Sequence, residues 1–133
     1  MIRGISHITL IVGDLDKTAA LLQAIFDAKI VYSSGDKQFS LSREMFFLIG
    51  DLWLCIMEGE AHLARSYNHI AFEISDADYE LYRSKVIASG VELRPERSRV
   101  EGEGRSIYFY DFDNHLFELH TGTLAERLER YAK

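Results

Sequence analysis

Apolar and polar positions alternate along the chain in short runs that predict strands and amphipathic helices. Two runs rich in β-branched and aromatic residues, 5–12 and 67–74, predict strands. A helix with one apolar face follows each of them. The first helix carries on that face Leu15, Ala19, Leu22, Ile25 and Phe26. The second carries Tyr79, Tyr82, Val86 and Ile87, and Gly90 is placed to end it.

Shorter apolar runs predict the remaining strands. In the first half they are residues 30–32, 45–49 and 52–57. In the second half they are residues 91–94, 106–110 and 116–120, with the last two joined by a turn at 111–114. Thr123 opens a Thr-x-x-Glu capping box and a short terminal helix. The apolar stripe of that helix is Leu124, Leu128 and Tyr131.

The order of elements is β-α-β-β-β in both halves, which indicates an internal repeat. Superimposing the strands at 5–12 and 67–74 places His7 on His69, 62 residues apart. Superimposing 51–59 on 114–122 places Cys55 on Glu118, 63 residues apart. The two offsets agree to within one residue, so the sequence contains two copies of one module.

The pattern predicts the α+β class and one domain over residues 1–133. We expect module 1 at about residues 4–59, module 2 at about 66–122, and a C-terminal helix at 123–133.

Composition narrows the functions that this chain can have. Its 133 residues are 47% hydrophobic, enough for a sizeable core. The net charge of −6, without a run of Lys or Arg, argues against nucleic-acid and membrane-surface partners. One cysteine excludes an intramolecular disulfide, and neither a signal-peptide pattern nor a long apolar span is seen. We therefore expect a cytoplasmic protein.

A carboxylate stands in the middle of the last predicted strand. Glu118 lies between Phe117 and Leu119, and burying a carboxylate there is costly unless positive charge meets it. His7 and His69 occupy equivalent faces of equivalent strands. If the modules pair their sheets, these three side chains converge and leave coordination positions open for water or substrate. This ligand set suits Mn(II), Fe(II) or Zn(II).

The alternative is that each histidine is a strand residue with a backbone partner. Recurrence at the same place in both copies favours the metal interpretation. His120 points to the same strand face as Glu118 and is a weaker competitor as ligand. Cys55, at the equivalent position of module 1, is interpreted as a small buried core residue.

Three segments resemble the fosfomycin resistance proteins of the vicinal oxygen chelate superfamily, which also includes glyoxalase I and extradiol dioxygenases. They are residues 4–10, 53–57, and 102–110 running on to 117–124. The resemblance covers almost the whole chain. It implies two paired βαβββ modules that form an open, cupped β-barrel, with modules paired across a homodimer.

Among these proteins the chain looks most like the FosX type, because Glu44 matches the position of its general base. The resemblance implies Mn(II)-dependent addition of water to the epoxide of fosfomycin, without an organic cofactor. It also implies that His7 comes from one chain of the dimer and His69 and Glu118 from the other.

Matching residues imply the contacts to the phosphonate of fosfomycin. By the match these are Ser106, Tyr108 and Arg127, and strand alternation puts the first two on one face. Additional substrate contacts are expected from Thr9, Trp53, Tyr67 and, as a weaker choice, Arg94. Ser98 stands where the FosA-type thiol transferases carry a phosphonate-binding lysine.

Other functions remain open at this point. A thiol transferase on the same scaffold would use glutathione or another small thiol, and Glu44 is the feature that separates it from a hydrolase. A non-catalytic drug-binding module would need no metal. A more distant alternative is glyoxalase-like isomerase or dioxygenase activity, for which Cys55 is an unsuitable replacement of the ligand or base at that position.

Overall fold

The computed structural model describes residues 1–38, 41–60, 64–96 and 104–132. Ser98 lies outside these ranges. The chain divides into two compact units, which are Met1–Leu63 and Ala64–Lys133. Each unit has its own sheet, and each is described by itself below.

The elements follow one another nearly as the hydrophobic pattern predicts. Unit 1 contains β1 (His7–Val12), α1 (Leu15–Phe26), β2 (Lys29–Ser33), β3 (Glu44–Ile49) and β4 (Leu52–Glu58). Unit 2 contains β5 (His69–Glu73), a 3₁₀ turn (Asp76–Asp78), α2 (Tyr79–Ala88), β6 (Ser106–Tyr110), β7 (Leu116–His120) and α3 (Leu124–Tyr131). The predicted bounds of β6 and β7 are confirmed, and β1 and β5 each begin two residues later than predicted. The α+β class is confirmed.

The sheet of unit 1 has the order β1-β4-β3-β2, with β1 and β4 parallel and the other pairs antiparallel. One face of this sheet packs against α1 through β3 and β4. The predicted apolar face of α1 is confirmed, because all five of its residues are buried. Asp14 caps the helix by accepting a hydrogen bond from the Lys17 N–H at 3.0 Å. The other face of the sheet carries polar side chains together with aromatic ones, among them Phe46 and Trp53.

The sheet of unit 2 has the order β5-β7-β6, with β5 and β7 parallel and β6 and β7 antiparallel. Its register repeats that of unit 1: Thr9 pairs with Cys55 across β1 and β4, and Ala71 pairs with Glu118 across β5 and β7. The superposition of the two modules is therefore confirmed. A stacked pair, Phe109 and Phe117, with ring centroids 5.6 Å apart, lies in the core of unit 2.

The strand predicted at residues 91–94 is reduced to one isolated bridge between Leu93 and Phe109. Two backbone hydrogen bonds flank it: Arg94 N–H to Tyr108 C=O at 2.8 Å, and Tyr110 N–H to Glu92 C=O at 3.0 Å. Pro95 explains the short pairing, because proline has no N–H and cannot extend a hydrogen-bonded ladder.

Two predicted helix faces also differ from the observed ones. On α2, Tyr79 and Val86 are buried, but Ile87 is 52% exposed, since the helix is short and begins after the 3₁₀ turn. On α3 the capping box between Thr123 and Glu126 is confirmed. The apolar stripe of α3 is exposed, at 58–73% for its three residues. In the described ranges, no helix combines the length and apolar character that crossing a bilayer requires.

Candidate metal centre and substrate site

Strand alternation gathers the polar side chains of unit 2 on one face of its sheet, opposite the aromatic core. The register places Tyr108 and Glu118 side by side, as it does Ser106 and His120. His69 lies on the same face at the start of β5. The residues that the sequence assigned to a metal and to a phosphonate in this module are thus neighbours.

Glu118 is 5% exposed, so the cost predicted for its burial is real. Burial alone would raise its pKa, but hydrogen bonds from Ser106 and Tyr108, with His120 and His69 nearby, outweigh burial and hold the pKa below its usual value. The carboxyl group is therefore ionised at neutral pH. Two hydroxyl groups and two imidazoles meet Glu118, and the metal ion that its position predicts stays a prediction.

His69 places a ring nitrogen beside this carboxylate. Its Nδ1 lies 2.7 Å from the Tyr67 carbonyl oxygen, which can only accept, so Nδ1 carries a proton. Its Nε2 then faces Glu118 Oε1 at 2.9 Å. Two electron-rich atoms at this distance need a cation between them, either a second proton on the imidazole or a metal ion.

The donor set fits a divalent metal ion. Bonds of about 2.1 Å at a right angle put two neighbouring ligand atoms about 3 Å apart, as Nε2 and Oε1 are. The Nδ1 bond to a backbone carbonyl is the usual support of a metal-bound imidazole. Among the described residues, no group of three His, Cys, Asp or Glu side chains is arranged to hold a metal ion.

A second imidazole is held behind Glu118 by hydrogen bonds. Ser106 donates to Glu118 Oε2, and Ser106 Oγ lies 2.7 Å from His120 Nδ1. Arg127 of α3 places Nη2 3.3 Å from His120 Nε2. A cavity of about 300 Å³ opens beside these groups and is lined by His69, Ala71, Glu118, His120, Thr123, Leu124 and Arg127.

Two phenols and a guanidinium complete this face. The Tyr67 hydroxyl donates to the Tyr108 hydroxyl at 3.0 Å. The Arg94 guanidinium lies 5.0 Å from the centroid of the Tyr67 ring and 6.0 Å from that of Tyr108. Arg94, the weaker choice from sequence, is thus held among the predicted substrate residues of unit 2.

In unit 1 the four residues predicted for the site lie on the sheet face away from α1. His7 and Thr9 alternate along β1, and Trp53 pairs with His7 in the neighbouring strand. The His7 and Trp53 ring centroids are 4.2 Å apart. Glu44 begins β3 on the same face, two strands from His7. The structure therefore brings a candidate ligand and the candidate base to one sheet surface.

Glu44 is half-buried and contacts Cys55. The Cys55 thiol donates to Glu44 Oε2, with sulfur and oxygen 3.8 Å apart. Burial, and then the Glu44 charge, raise the pKa of the thiol to about 11, against a hydrogen bond from Thr9 that lowers it. The thiol thus stays protonated at neutral pH and remains a hydrogen-bond donor to Glu44.

Sequence reasoning missed two of these relations. Cys55 is buried, at 3% exposure, as predicted, but it also touches the candidate base. Strand alternation could have predicted this contact, because Cys55 lies two residues after Trp53 and therefore on the same face of the sheet. His120 was considered only as a ligand, although its two ring nitrogens face Ser106 and Arg127.

Comparison with known proteins identifies the class. The family model of the Glyoxalase/Bleomycin resistance protein/Dioxygenase superfamily matches residues 4–119, so the chain belongs to that superfamily. A solved structure within the same fold is FosX of Listeria monocytogenes, a mutant form complexed with Mn(II) and 1S,2S-dihydroxypropylphosphonic acid. It is 65% identical, covers 98% of this chain and all of its own, and superposes with a TM-score of 0.92.

The particular group follows from the curated relatives. The fosfomycin resistance protein FosX of Listeria innocua is 63% identical over the full length of both chains. A more distant relative, the metallothiol transferase FosB of Shouchella clausii, is 38% identical over all of this chain and 90% of its own length. The similarity puts the chain among the fosfomycin resistance proteins of the FosX type.

Proposed function

We propose that this protein inactivates fosfomycin by metal-dependent addition of water to the epoxide, giving a diol. The observation that carries the proposal is the His69–Glu118 pair, in which an imidazole nitrogen lies 2.9 Å from a buried, ionised carboxylate. The diol held by the Listeria FosX structure supports the reaction type, because a vicinal diol is what remains when water opens an epoxide.

His69 and Glu118 are the proposed metal ligands of unit 2, and His7 of unit 1 is the third. Mn(II) is the proposed ion, as in the FosX structures, with Fe(II) and Zn(II) as alternatives that the same ligands accept. When bound, the ion supplies a Lewis acid for the negative charge that develops on the epoxide oxygen. The fixed Nδ1 bond of His69 and the low pKa of Glu118 keep both ligands in their binding forms.

Glu44 is the proposed general base. Its carboxylate would take a proton from the attacking water while the water oxygen bonds to one epoxide carbon and the bond from that carbon to the epoxide oxygen breaks. The alkoxide released would then take a proton from Glu44 or from solvent, which gives the diol. The Cys55 thiol occupies Oε2, so Oε1 is the oxygen left to receive that proton.

Cationic and hydroxyl side chains are the proposed phosphonate contacts. Arg127 and Arg94 supply positive charge, and Tyr108 and Thr9 supply hydroxyl donors. Trp53 and Tyr67 are proposed as walls of the pocket. Ser106 is 7% exposed and its hydroxyl is engaged by Glu118, so we propose that its effect on substrate is exerted through Glu118.

The assembly is part of the proposal. We propose a homodimer in which His7 of one chain completes the ligands His69 and Glu118 of the other, with residues 1–133 acting as one domain. The exposed apolar stripe of α3 supports an interface, since three large side chains there have 58–73% of their surface free. The single free thiol, Cys55, suits the reducing cytoplasm.

Phosphorus NMR of fosfomycin, with purified protein and Mn(II) but without thiol, tests the reaction directly. The parent protein should convert the drug to the diol. Glu44→Gln should lose activity by about 10²–10⁴-fold, the usual contribution of a general base. Glu58→Gln is the matched control, because Glu58 is a carboxylate of the same sheet that is paired with Arg43.

Unchanged fosfomycin with the parent protein would overturn the hydrolase proposal. Glutathione added to the same sample would then test thiol transfer, the activity named for the FosB relative. Hydration by Glu44→Gln at the parent rate would instead reject Glu44 as base and leave the overall reaction in place.

A further inference from the structure

Four side chains of unit 2 form one continuous hydrogen-bonded chain that runs from the terminal helix to the carboxylate of Glu118. Its members are Arg127, His120, Ser106 and Glu118. The inner part is closed to solvent, since Ser106 and Glu118 are 7% and 5% exposed. None of the expected roles from sequence gives His120 a place in such a chain.

Each hydrogen bond in this series is donated towards Glu118. Arginine has only donors, so the Arg127 Nη2–H donates to His120 Nε2 at 3.3 Å. The proton of His120 then lies on Nδ1, which donates to Ser106 Oγ at 2.7 Å. The Ser106 hydroxyl in turn gives its single proton to Glu118 Oε2. Both nitrogens of His120 are used, and the Ser106 hydroxyl both accepts and donates a hydrogen bond.

The two oxygens of Glu118 have different contacts because of these hydrogen bonds. Oε2 accepts from Ser106 and has His120 Nδ1 at 3.2 Å, whereas Oε1 faces His69 Nε2 at 2.9 Å. A carboxylate free to rotate would exchange these two oxygens. A carboxylate that is hydrogen-bonded at Oε2 holds Oε1 in a fixed direction beside the His69 imidazole.

We propose that Ser106 and His120 are positioning residues that hold Glu118 in its metal-binding orientation, and that Arg127 fixes His120 from α3. This inference rests on the metal centre of the proposed function. It also assigns His120 to support of the centre and removes it from the set of ligands. Because this series of hydrogen bonds includes Arg127 of α3, the terminal helix contributes to metal affinity without supplying a ligand.

Mn(II) affinity, measured by electron paramagnetic resonance of the free ion, tests the inference without fosfomycin. Ser106→Ala removes the grip on Oε2 and should weaken Mn(II) binding by about 10–100-fold, the usual effect of losing a ligand's supporting hydrogen bond. Ser106→Thr keeps a hydroxyl and should restore most of the affinity. His120→Asn keeps a donor near the Nδ1 position, loses the contact with Arg127, and should give an intermediate value.

Ile107→Val is the matched control. Ile107 is the next residue of β6, 2% exposed, and strand alternation points it to the opposite face of the sheet. This variant trims a buried side chain and should lower stability, yet its Mn(II) affinity should stay within about twofold of the parent, since no ligand support is lost.

The outcomes separate this inference from the proposed function. Mn(II) binding by Ser106→Ala equal to that of the parent would overturn the positioning role and leave the hydrolase proposal standing. Equal losses in Ser106→Ala, Ser106→Thr and Ile107→Val would also overturn it, because general destabilisation would then explain the effect. A parent protein that does not bind Mn(II) would overturn the metal centre and this inference together.

Discussion

The ionisation of Cys55 tests the structure of unit 1 with neither substrate nor metal. Burial, with Glu44 next, raises the thiol pKa to about 11. At pH 8 a thiol with this pKa is about 0.1% thiolate, whereas an ordinary thiol of pKa about 8.5 is roughly a quarter thiolate. Since only the thiolate reacts, ionisation alone should slow alkylation by more than about 100-fold.

Alkylation by iodoacetamide, followed by mass spectrometry, measures this directly, because the chain contains one cysteine. The folded protein at pH 8 should react far more slowly than the same protein in denaturant. Glu44→Gln removes a negative charge beside the thiol and should raise the folded-state rate. That rate should remain below the unfolded rate, because burial is the larger cause of the shift. A folded protein that reacts at the unfolded rate would refute the geometry of Glu44 and Cys55.

The same pKa difference predicts how stability depends on pH. Below about pH 8.5 the thiol is protonated in both states, and its contribution to folding is fully present. Between about 8.5 and 11 the unfolded state releases its proton first, so the folded state loses stability as the pH rises. By pH 9.5 the loss should reach roughly 1 kcal/mol relative to pH 7.

Urea unfolding of the parent and of Cys55→Ala at both pH values gives this contribution as a difference, in which other titrating groups cancel. A stability difference between the two proteins that is the same at pH 7 and 9.5 would show that Cys55 does not have the raised pKa.

Two further predictions concern the backbone around β6 and α3. Gly104→Ala should destabilise the protein by about 2 kcal/mol or more in urea unfolding, because its Cβ would lie 2.6 Å from the Gly122 nitrogen and its φ is +79°. Gly90→Ala is the control: its φ is +72° with open space around the Cβ, and it should cost only about 1 kcal/mol. Equal costs for the two variants would contradict the close approach of Gly104 to Gly122. Thr123→Ala should cost about 1 kcal/mol in thermal or urea unfolding through loss of the capping box, while Thr123→Ser should keep most of the stability; an unchanged Thr123→Ala protein would mean that α3 adds nothing to the measured transition.

Sequence alone predicted the parts of the structure that follow from periodicity. The β6–β7 hairpin was bounded correctly because two alternating runs flank a polar turn, in which Asp111 accepts the N–H groups of Asp113 and His115. The repeat located His69 and Glu118 because equal offsets in sequence became equal registers in the sheets. Each of these features depends on a pattern formed by many residues. One residue that departs from the pattern therefore does not prevent the prediction.

Features that depend on single contacts escaped prediction. Val91 and Leu93 alternate as in a strand, yet Pro95 limits the pairing to one bridge. Alternation placed Ser106 on the face of Glu118, but a hydroxyl there can serve a substrate or the carboxylate itself. In the structure Ser106 Oγ contacts both Glu118 and His120, and the contact with substrate stays a prediction. No periodic signal carries the direction of one hydroxyl group.

The two modules carry side chains with opposite hydrogen-bonding roles at the equivalent positions 118 and 55. Glu118 accepts hydrogen bonds and faces an imidazole, whereas Cys55 donates a hydrogen bond to Glu44. A second carboxylate at position 55 would put two negative charges beside each other and raise the pKa of one of them strongly. A neutral thiol avoids that repulsion and donates a hydrogen bond to Glu44. The difference between positions 55 and 118 therefore fits the proposed roles, with the proposed metal carboxylate in unit 2 and the proposed base in unit 1.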